Sequence, residues 1–391
     1  MSEIYRASTT APVNIAVIKY WGKRDPSLNL PTNSSLSVTL SQSDLRTHTT
    51  ASCSPTYNSD SLLLNGSPQD TSGSRTQACF RELRSLRSEL EKSDASLPKL
   101  STQKLKIVSE NNFPTAAGLA SSAAGFAALV RAIADLYQLT ATPTELSRIA
   151  RQGSGSACRS LFGGYVSWEM GSAADGSDSL ATEVAPSSHW PNIRAIILVA
   201  SSAKKGVSST SGMQQTVATS ELFSHRAKVL VPERMTKMKD AIKRKDFAAF
   251  AELTMRDSNG FHATCADTYP PIFYLNDTSR AAIRVVENIN AAAGRSIAAY
   301  TFDAGPNAVV YYLAEDEGAV AGVFKGFLGE KEGWGSERGG KVKVVEGKDL
   351  DENAVQGLKD GVSRVILTGV GEGPISVQDH LVDEKGEAVA R

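Results

Sequence analysis

Apolar positions along this chain fall into short runs and helical spacings that follow one another in no fixed order. Val13 to Ile18 is an apolar run interrupted by Asn14 and closed by Lys19-Tyr20-Trp21-Gly22-Lys23, which predicts a buried strand feeding a loop. Residues 36 to 50 alternate in the manner of a strand, whereas Phe80, Leu83, Leu86 and Leu90 recur at helical spacing among charges. Ala120 to Leu139 is apolar on nearly every face, which predicts a helix buried between layers. Thr142-Pro143-Thr144-Glu145 supplies an N-cap, a first-turn proline and a capping-box glutamate, so a second helix starts there and ends near Gly153. Gly171 to Ser188, rich in Ser, Ala, Asp and Gly, reads as an exposed loop, and Ile193 to Ala200 as a strand.

The second half predicts helices around 219 to 231, 233 to 256 and 278 to 293, then strands from Ala308 to Leu313 and from Arg364 to Thr368. Strands and helices mix without regular β-α-β alternation, which points to an α+β class. A composition shift near residue 190 divides the chain into lobes of residues 1–190 and 191–391.

With 391 residues, 41% of them hydrophobic and 21% charged, the chain can bury a substantial core. Lys plus Arg balances Asp plus Glu at 42 each, so no global field favours nucleic acid or an anionic membrane. Any attraction for a phosphorylated small molecule must be local. The N-terminal Met1-Ser-Glu-Ile-Tyr-Arg-Ala-Ser8 lacks a signal pattern, and no run approaches the about 18 apolar residues of a membrane span, so a cytoplasmic protein is expected. Cys53, Cys79, Cys158 and Cys265 lie far apart and read as reduced thiols. The sequons at Asn33, Asn65 and Asn276 read as chance.

The candidate chemistry starts at Pro114-Thr-Ala-Ala-Gly-Leu-Ala-Ser-Ser-Ala-Ala-Gly125, a run of small residues leading into the alanine-rich segment. Such a run lets the backbone approach a ligand and aims the free N–H groups of a helix start at an anion, although tight helix packing uses the same composition. Ser122 reads either as an N-cap or as a donor to a terminal phosphate. Gly335-Ser-Glu-Arg-Gly-Gly-Lys341 has Walker A spacing, but Val342 stands where Ser or Thr should hold magnesium, so it is set aside. Asp303 sits where a strand-like Tyr-Thr-Phe segment breaks at Ala-Gly-Pro, as a turn cap or as a presented catalytic carboxylate. Lys19 and Lys23 are a solvated strand end or an anion site. Arg159 is a surface arginine or a bidentate carboxylate clamp.

Ala11 to Lys23, Pro114 to Ala123, Gly153-Ser-Gly-Ser-Ala-Cys-Arg-Ser160 with Phe162-Gly-Gly-Tyr165, and Tyr300-Thr-Phe-Asp-Ala-Gly-Pro-Asn-Ala308 together resemble the GHMP kinase superfamily. More narrowly they resemble its mevalonate diphosphate decarboxylase family, in the eukaryotic, fungal form, over essentially the whole chain. The resemblance implies a two-lobed GHMP fold with an N-terminal nucleotide-binding lobe like ribosomal protein S5 domain 2, a central cleft and a homodimer. It implies ATP as co-substrate, Mg2+, and mevalonate 5-diphosphate as the substrate, converted to isopentenyl diphosphate after phosphorylation of its tertiary hydroxyl.

Carried over residue by residue, the resemblance makes Asp303, Lys19 and Arg159 catalytic. It assigns Tyr20, Trp21, Gly22, Lys23, Arg75, Ser154, Gly155, Ser156, Ala157, Cys158, Arg159 and Thr210 to the substrate. Pro114, Ala116, Ala117, Gly118, Leu119, Ala120, Ser121 and Ser122 go to ATP, and Ser122 also to the metal. None of the five histidines falls in these motifs, so no histidine base is needed. Two other readings stay open: a relative that phosphorylates without decarboxylating, and a catalytically dead binding protein of the same fold.

Overall fold

The computed structural model describes residues 3–113, 121–200 and 206–389, and three larger sheets organise them. The first runs, in spatial order, Ile375–Val377, Tyr5–Pro12, Arg46–Ser54, Lys104–Asn111, Ser61–Leu64 and Ser67–Gln69. Its neighbours pair antiparallel, except that Ser61–Leu64 runs parallel to Lys104–Asn111. The second, antiparallel sheet orders Ala181–Ala185, Tyr165–Trp168, Ser35–Thr39 and Asn14–Ile18. The third, also antiparallel, orders Ala298–Phe302, Ala308–Leu313, Ile193–Val199 and Arg364–Gly369. This is the α+β class that the sequence pattern implies.

The alanine-rich helix, Ser121–Leu136, lies on the first sheet. Its Ala127, Ala128, Val130 and Ile133 pack with Ala11, Ala51, Leu105 and Ile107 of the strands and with Phe80 and Leu83 of the helix Ser74–Ser93. Small side chains let the helix approach closely, which suits its near-continuous burial. The next helix, Pro143–Gly153, starts on the capping box predicted for it. Thr142 Oγ1 accepts from the Glu145 N–H at 3.3 Å, and Glu145 Oε2 accepts from the Thr142 N–H at 2.7 Å.

The third sheet separates two cores. Ile193, Ala195, Ile197 and Val199 face one side, packing with Val13, Ile15, Val17, Met238, Ile242 and Phe250. Ile196 and Leu198 face the other, with Val285, Val286, Ile289 and Phe324. A strand buried on both faces reads as a continuous apolar run, as this one does from Ala195 onward.

Several expectations need correction. Residues 36 to 50 are two strands in different sheets, Ser35–Thr39 and Arg46–Ser54, because the chain turns through 41–45. Both are buried almost throughout, so their alternation sorts two interior faces and not core from solvent. Helix 233 to 256 is broken into Val231–Arg244 and Phe247–Asp267: Lys245 adopts φ 56°, and Asp246 then caps the second helix by accepting from the Ala249 N–H at 3.0 Å. The loop expected from Gly171 to Ser188 contains the strand Ala181–Ala185, fixed by pairing with Tyr165–Trp168. The expected helix at 219 is preceded by another, Ser209–Thr219, capped by the Ser208 side chain.

Candidate active site

The strand Asn14–Ile18 and the strand Ala298–Phe302 belong to different sheets, and the residues that follow them meet in the wall of one cavity of about 250 Å³. Lys19 Nζ donates to Asp303 Oδ1 at 2.7 Å. The lysine side chain is buried, while that of Asp303 is 33% exposed and turned to the cavity. Burial lowers the pKa of Lys19, and Asp303 is the main group opposing that loss of charge.

Arg159 enters from the short 3-10 helix Gly155–Leu161 and is 2% exposed. Its Nε donates to Ser37 Oγ at 3.0 Å and Asn14 Oδ1 at 3.3 Å, its Nη1 donates to Ser35 Oγ at 2.5 Å, and its guanidinium lies 5.8 Å from the Trp168 ring centre. All three acceptors are neutral, and among the described residues no carboxylate pairs with it. Burial lowers its pKa. A buried cation held in a neutral frame has its attraction left for an anion that comes from outside.

The far wall is built around an aromatic pair. Tyr20 packs on Trp168 with ring centres 4.7 Å apart, and a Cβ on Gly155 would come within 2.8 Å of the Tyr20 ring, so that position takes only glycine without displacement. Trp21 Nε1 donates to Thr216 Oγ1 at 3.0 Å, leaving the indole as an apolar wall. Gly22 has φ 86° and no space for a Cβ, which would lie 2.4 Å from Thr32 Oγ1. Lys23 is pulled down to about 8, by burial first and by the neighbouring Arg75 second. Arg75 Nη2 donates to Thr210 Oγ1 at 3.0 Å, which joins two residues that the loose motifs place at the substrate.

Lys19, Tyr20, Trp21, Lys23, Arg75, Ser121, Ser122, Ser154, Gly155, Ser156, Arg159, Thr210 and Asp303 all line this one cavity. Ala157, Cys158 and Gly22 do not. Ala157 and Cys158 are buried behind the wall, where the Cys158 thiol contacts the Gly155 carbonyl at 3.0 Å and burial pushes its pKa up to about 12. Pro114, Ala116, Ala117, Gly118, Leu119 and Ala120 lie outside the described residues. At the helix start that follows, Ser122 Oγ lies 3.3 Å from Ser154 Oγ. Lys341 of the Walker-like segment instead pairs with Glu337 inside the short helix Glu337–Lys341.

A second cavity, of about 300 Å³, is also lined by Ser121 and Ser122. Leu62, Leu64, Ile107, Phe126 and Leu129 supply its apolar walls, with Asp70, Asn111 and Thr76 among its polar ones. None of these was singled out from the sequence, where they are scattered strand and helix positions. Asn14 was also missed as a site residue, although an asparagine inside an apolar strand was a visible signal. It lines the first cavity and donates to the Ser156 carbonyl at 3.0 Å and Ser160 Oγ at 2.7 Å, locking the loop that carries Arg159.

Residues 11–181 match the diphosphomevalonate decarboxylase-like N-terminal domain, and residues 195–377 match the mevalonate 5-diphosphate decarboxylase C-terminal domain. The chain belongs to the diphosphomevalonate decarboxylase family. It is 67% identical to the diphosphomevalonate decarboxylase of Aspergillus fumigatus over 395 aligned positions, covering 99% of this chain and 98% of that protein. Its fold matches an X-ray crystal structure of mevalonate 5-diphosphate decarboxylase with a TM-score of 0.90 at 58% identity, covering 97% of this chain and 99% of the other. A structure of MDDEF in complex with MVAPP, AMPPCP and magnesium matches with a TM-score of 0.75 at 29% identity, covering 96% of this chain and 100% of the other. The four-motif resemblance and its fungal character are thereby borne out. As a member of the diphosphomevalonate decarboxylase family the chain is an enzyme, and the cavity between Lys19 and Asp303 is its candidate centre.

Proposed function

We infer that this chain converts mevalonate 5-diphosphate and ATP to isopentenyl diphosphate, ADP, phosphate and CO2, with the substrate in the 250 Å³ cavity and the nucleotide base in the adjoining apolar slot. The observation that carries this reading is the convergence of Asp303, Lys19 and Arg159 on one cavity that shares Ser121 and Ser122 with the slot. Phosphoryl transfer needs in-line positioning and cations against developing charge more than covalent help from the protein. Asp303 accepts the hydrogen bond, and then the proton, of the tertiary hydroxyl. Lys19 holds the Asp303 carboxylate in place and faces the transferred phosphoryl group. Arg159 binds the substrate carboxylate through its planar fork, orienting the bond that breaks when CO2 leaves. Ser154 and Ser156 donate to the same anion. Lys23, with Tyr20, Arg75 and Thr210 beside it, takes the diphosphate, and the Trp21 indole walls off water.

The donor set fits magnesium in one specific way. Among the described residues no three His, Cys, Asp or Glu side chains gather as a metal cage; at this cavity the Ser122 hydroxyl is the protein group that would hold a divalent ion brought with the phosphates. When bound, the ion neutralises charge on the phosphates. The reading also comprises lobes 1–190 and 191–391, the latter returning its C-terminal stretch from Ile375 to the first sheet, a homodimer in the cytoplasm, and neither nucleic acid nor membrane as partner. Among the described residues no helix is long and apolar enough to cross a membrane.

The test incubates the purified protein with ATP, magnesium and carboxyl-labelled mevalonate 5-diphosphate and follows ADP and CO2 together. Equimolar release is expected. ADP without CO2 would make the chain a kinase that stops at the phosphorylated intermediate, and neither product would leave a binding protein.

A further inference from the structure

The two groups that meet over the cavity come from separate sheets, and a single helix, Phe247–Asp267, touches the main chain beside both. Asp257 Oδ2 accepts from the backbone N–H of Lys19 at 2.7 Å. The next residue on the helix, Ser258, accepts through Oγ from the N–H of Phe302 at 3.1 Å, one residue before Asp303. One turn further along, the His262 ring packs edge-on against Phe302, with ring centres 6.2 Å apart.

Asp257 is fully buried and is held by two guanidinium groups. Arg226 donates from Nη1 to Oδ1 at 3.0 Å and from Nη2 to Oδ2 at 2.9 Å, and Arg234 donates from Nη1 to Oδ1 at 2.9 Å. Burial by itself raises the Asp257 carboxyl, and Arg226, the Lys19 amide and Arg234 more than offset it, so it stays ionised. A buried triad of charges is a poor way to gain stability, because apolar side chains of the same volume do as well or better. What the triad supplies that apolar packing does not is direction: a fixed acceptor aimed at one particular main-chain N–H.

We propose that Asp257 and Ser258 are positioning residues, which use adjacent places on one helix to hold Lys19 and Asp303 at hydrogen-bonding distance for phosphoryl transfer. The inference rests on the reading of Lys19 and Asp303 as reacting groups. Asp257 and Ser258 act on the peptide units beside the pair and line no part of the cavity, so loss of either hydrogen bond leaves the substrate contacts in place but loosens the geometry between the two sheets. Misplacement of about 1 Å in such a pair costs roughly 10²-fold in rate.

The test compares Asp257→Asn and Ser258→Ala with Thr254→Val, a control on the same helix whose buried hydroxyl has no hydrogen-bond partner. The measurements are kcat, KM for ATP and for mevalonate 5-diphosphate, the thermal midpoint, and the kcat–pH profile. Asp257→Asn is expected to lower kcat by roughly 10²-fold and Ser258→Ala by roughly 10-fold, each with both KM values within about twofold of the parent. The ionisable groups around Lys19 include Asp303, Asp257, Arg159 and His262, with Arg226 donating to the Lys19 carbonyl at 3.5 Å. Because Asp303 is the main support for the Lys19 charge, a loosened pair lets Lys19 lose its proton sooner, and the alkaline limb of the profile moves to lower pH.

Should Asp257→Asn not fold, Ser258→Ala carries the test. Unchanged kcat in Ser258→Ala, or a loss no larger than that of Thr254→Val at matched thermal midpoint, overturns the proposal, as does an effect confined to KM. Asp303→Ala is measured in parallel. If it keeps turnover, the underlying assignment of the reacting pair has failed; if it is inactive while the helix variants behave as the parent, only the positioning role has failed.

Discussion

Arg159 and Arg226 are buried to nearly the same degree, at 2% and 1% exposure, and their surroundings are opposite. Arg226 grips Asp257 with both terminal nitrogens, so its charge is spent inside the protein. Arg159 meets two serine hydroxyls and an asparagine oxygen, which orient the guanidinium without cancelling it. Burying a charge without a counter-ion is costly, so a site that does so is kept for a reason other than stability. Of these two arginines, the one in the neutral frame lines the cavity, and the one matched to a carboxylate belongs to the scaffold.

Five variants press on that contrast. The largest effect is expected from Asp303→Ala, which should cut turnover by roughly 10⁴-fold or more while ATP and mevalonate 5-diphosphate still bind, read by ADP release and titration calorimetry. Turnover within a few fold of the parent would remove Asp303 from the reaction. Next comes Arg226→Met, which leaves the buried Asp257 carboxylate with Arg234 as its one guanidinium partner and should cost about 3 kcal/mol in urea unfolding; a loss below about 1 kcal/mol would refute the scaffold reading of this arginine.

Arg159→Lys should reverse that balance. An ammonium cannot reproduce the fork, so kcat/KM is expected to fall by roughly 10²–10³-fold with the unfolding midpoint unchanged. Arg159→Met sharpens the point, since removing an unmatched buried charge should leave the protein as stable as the parent or more so. A destabilised Arg159→Met protein would erase the distinction between the two arginines.

The smallest effect concerns Lys23, partly buried and titrating at about 8. Its charged form is lost as pH rises through that value, so KM for the diphosphate substrate should climb above pH 8, up to about tenfold by pH 9. Lys23→Arg keeps its charge and should flatten the rise; an identical climb in both proteins would place the titration elsewhere.

Much of the site was legible because its residues sit in contiguous motifs: Lys19 to Lys23, Ser154 to Arg159, and Asp303 after its strand. Local chemistry writes such signals, as it does the capping box at Thr142. What was not legible depends on chain segments meeting. Ser35 and Ser37 look like ordinary strand serines until Arg159, more than a hundred residues away in sequence, reaches them. Asp257, Arg226 and Arg234 belong to no motif in the sequence, yet Asp257 is fully buried and binds both arginines. The break at Lys245 was hidden for a related reason: a left-handed lysine carries no compositional mark of the kind a glycine leaves.

The two-faced burial of Ile193–Val199 has a consequence for how a gene of this kind can change length. Because odd residues serve one core and even residues the other, adding or deleting one codon within the strand would exchange every side chain beyond it between two differently shaped interiors. Insertions and deletions should therefore accumulate in exposed turns such as that at residues 94–96, where the backbone can lengthen on the surface without disturbing either core.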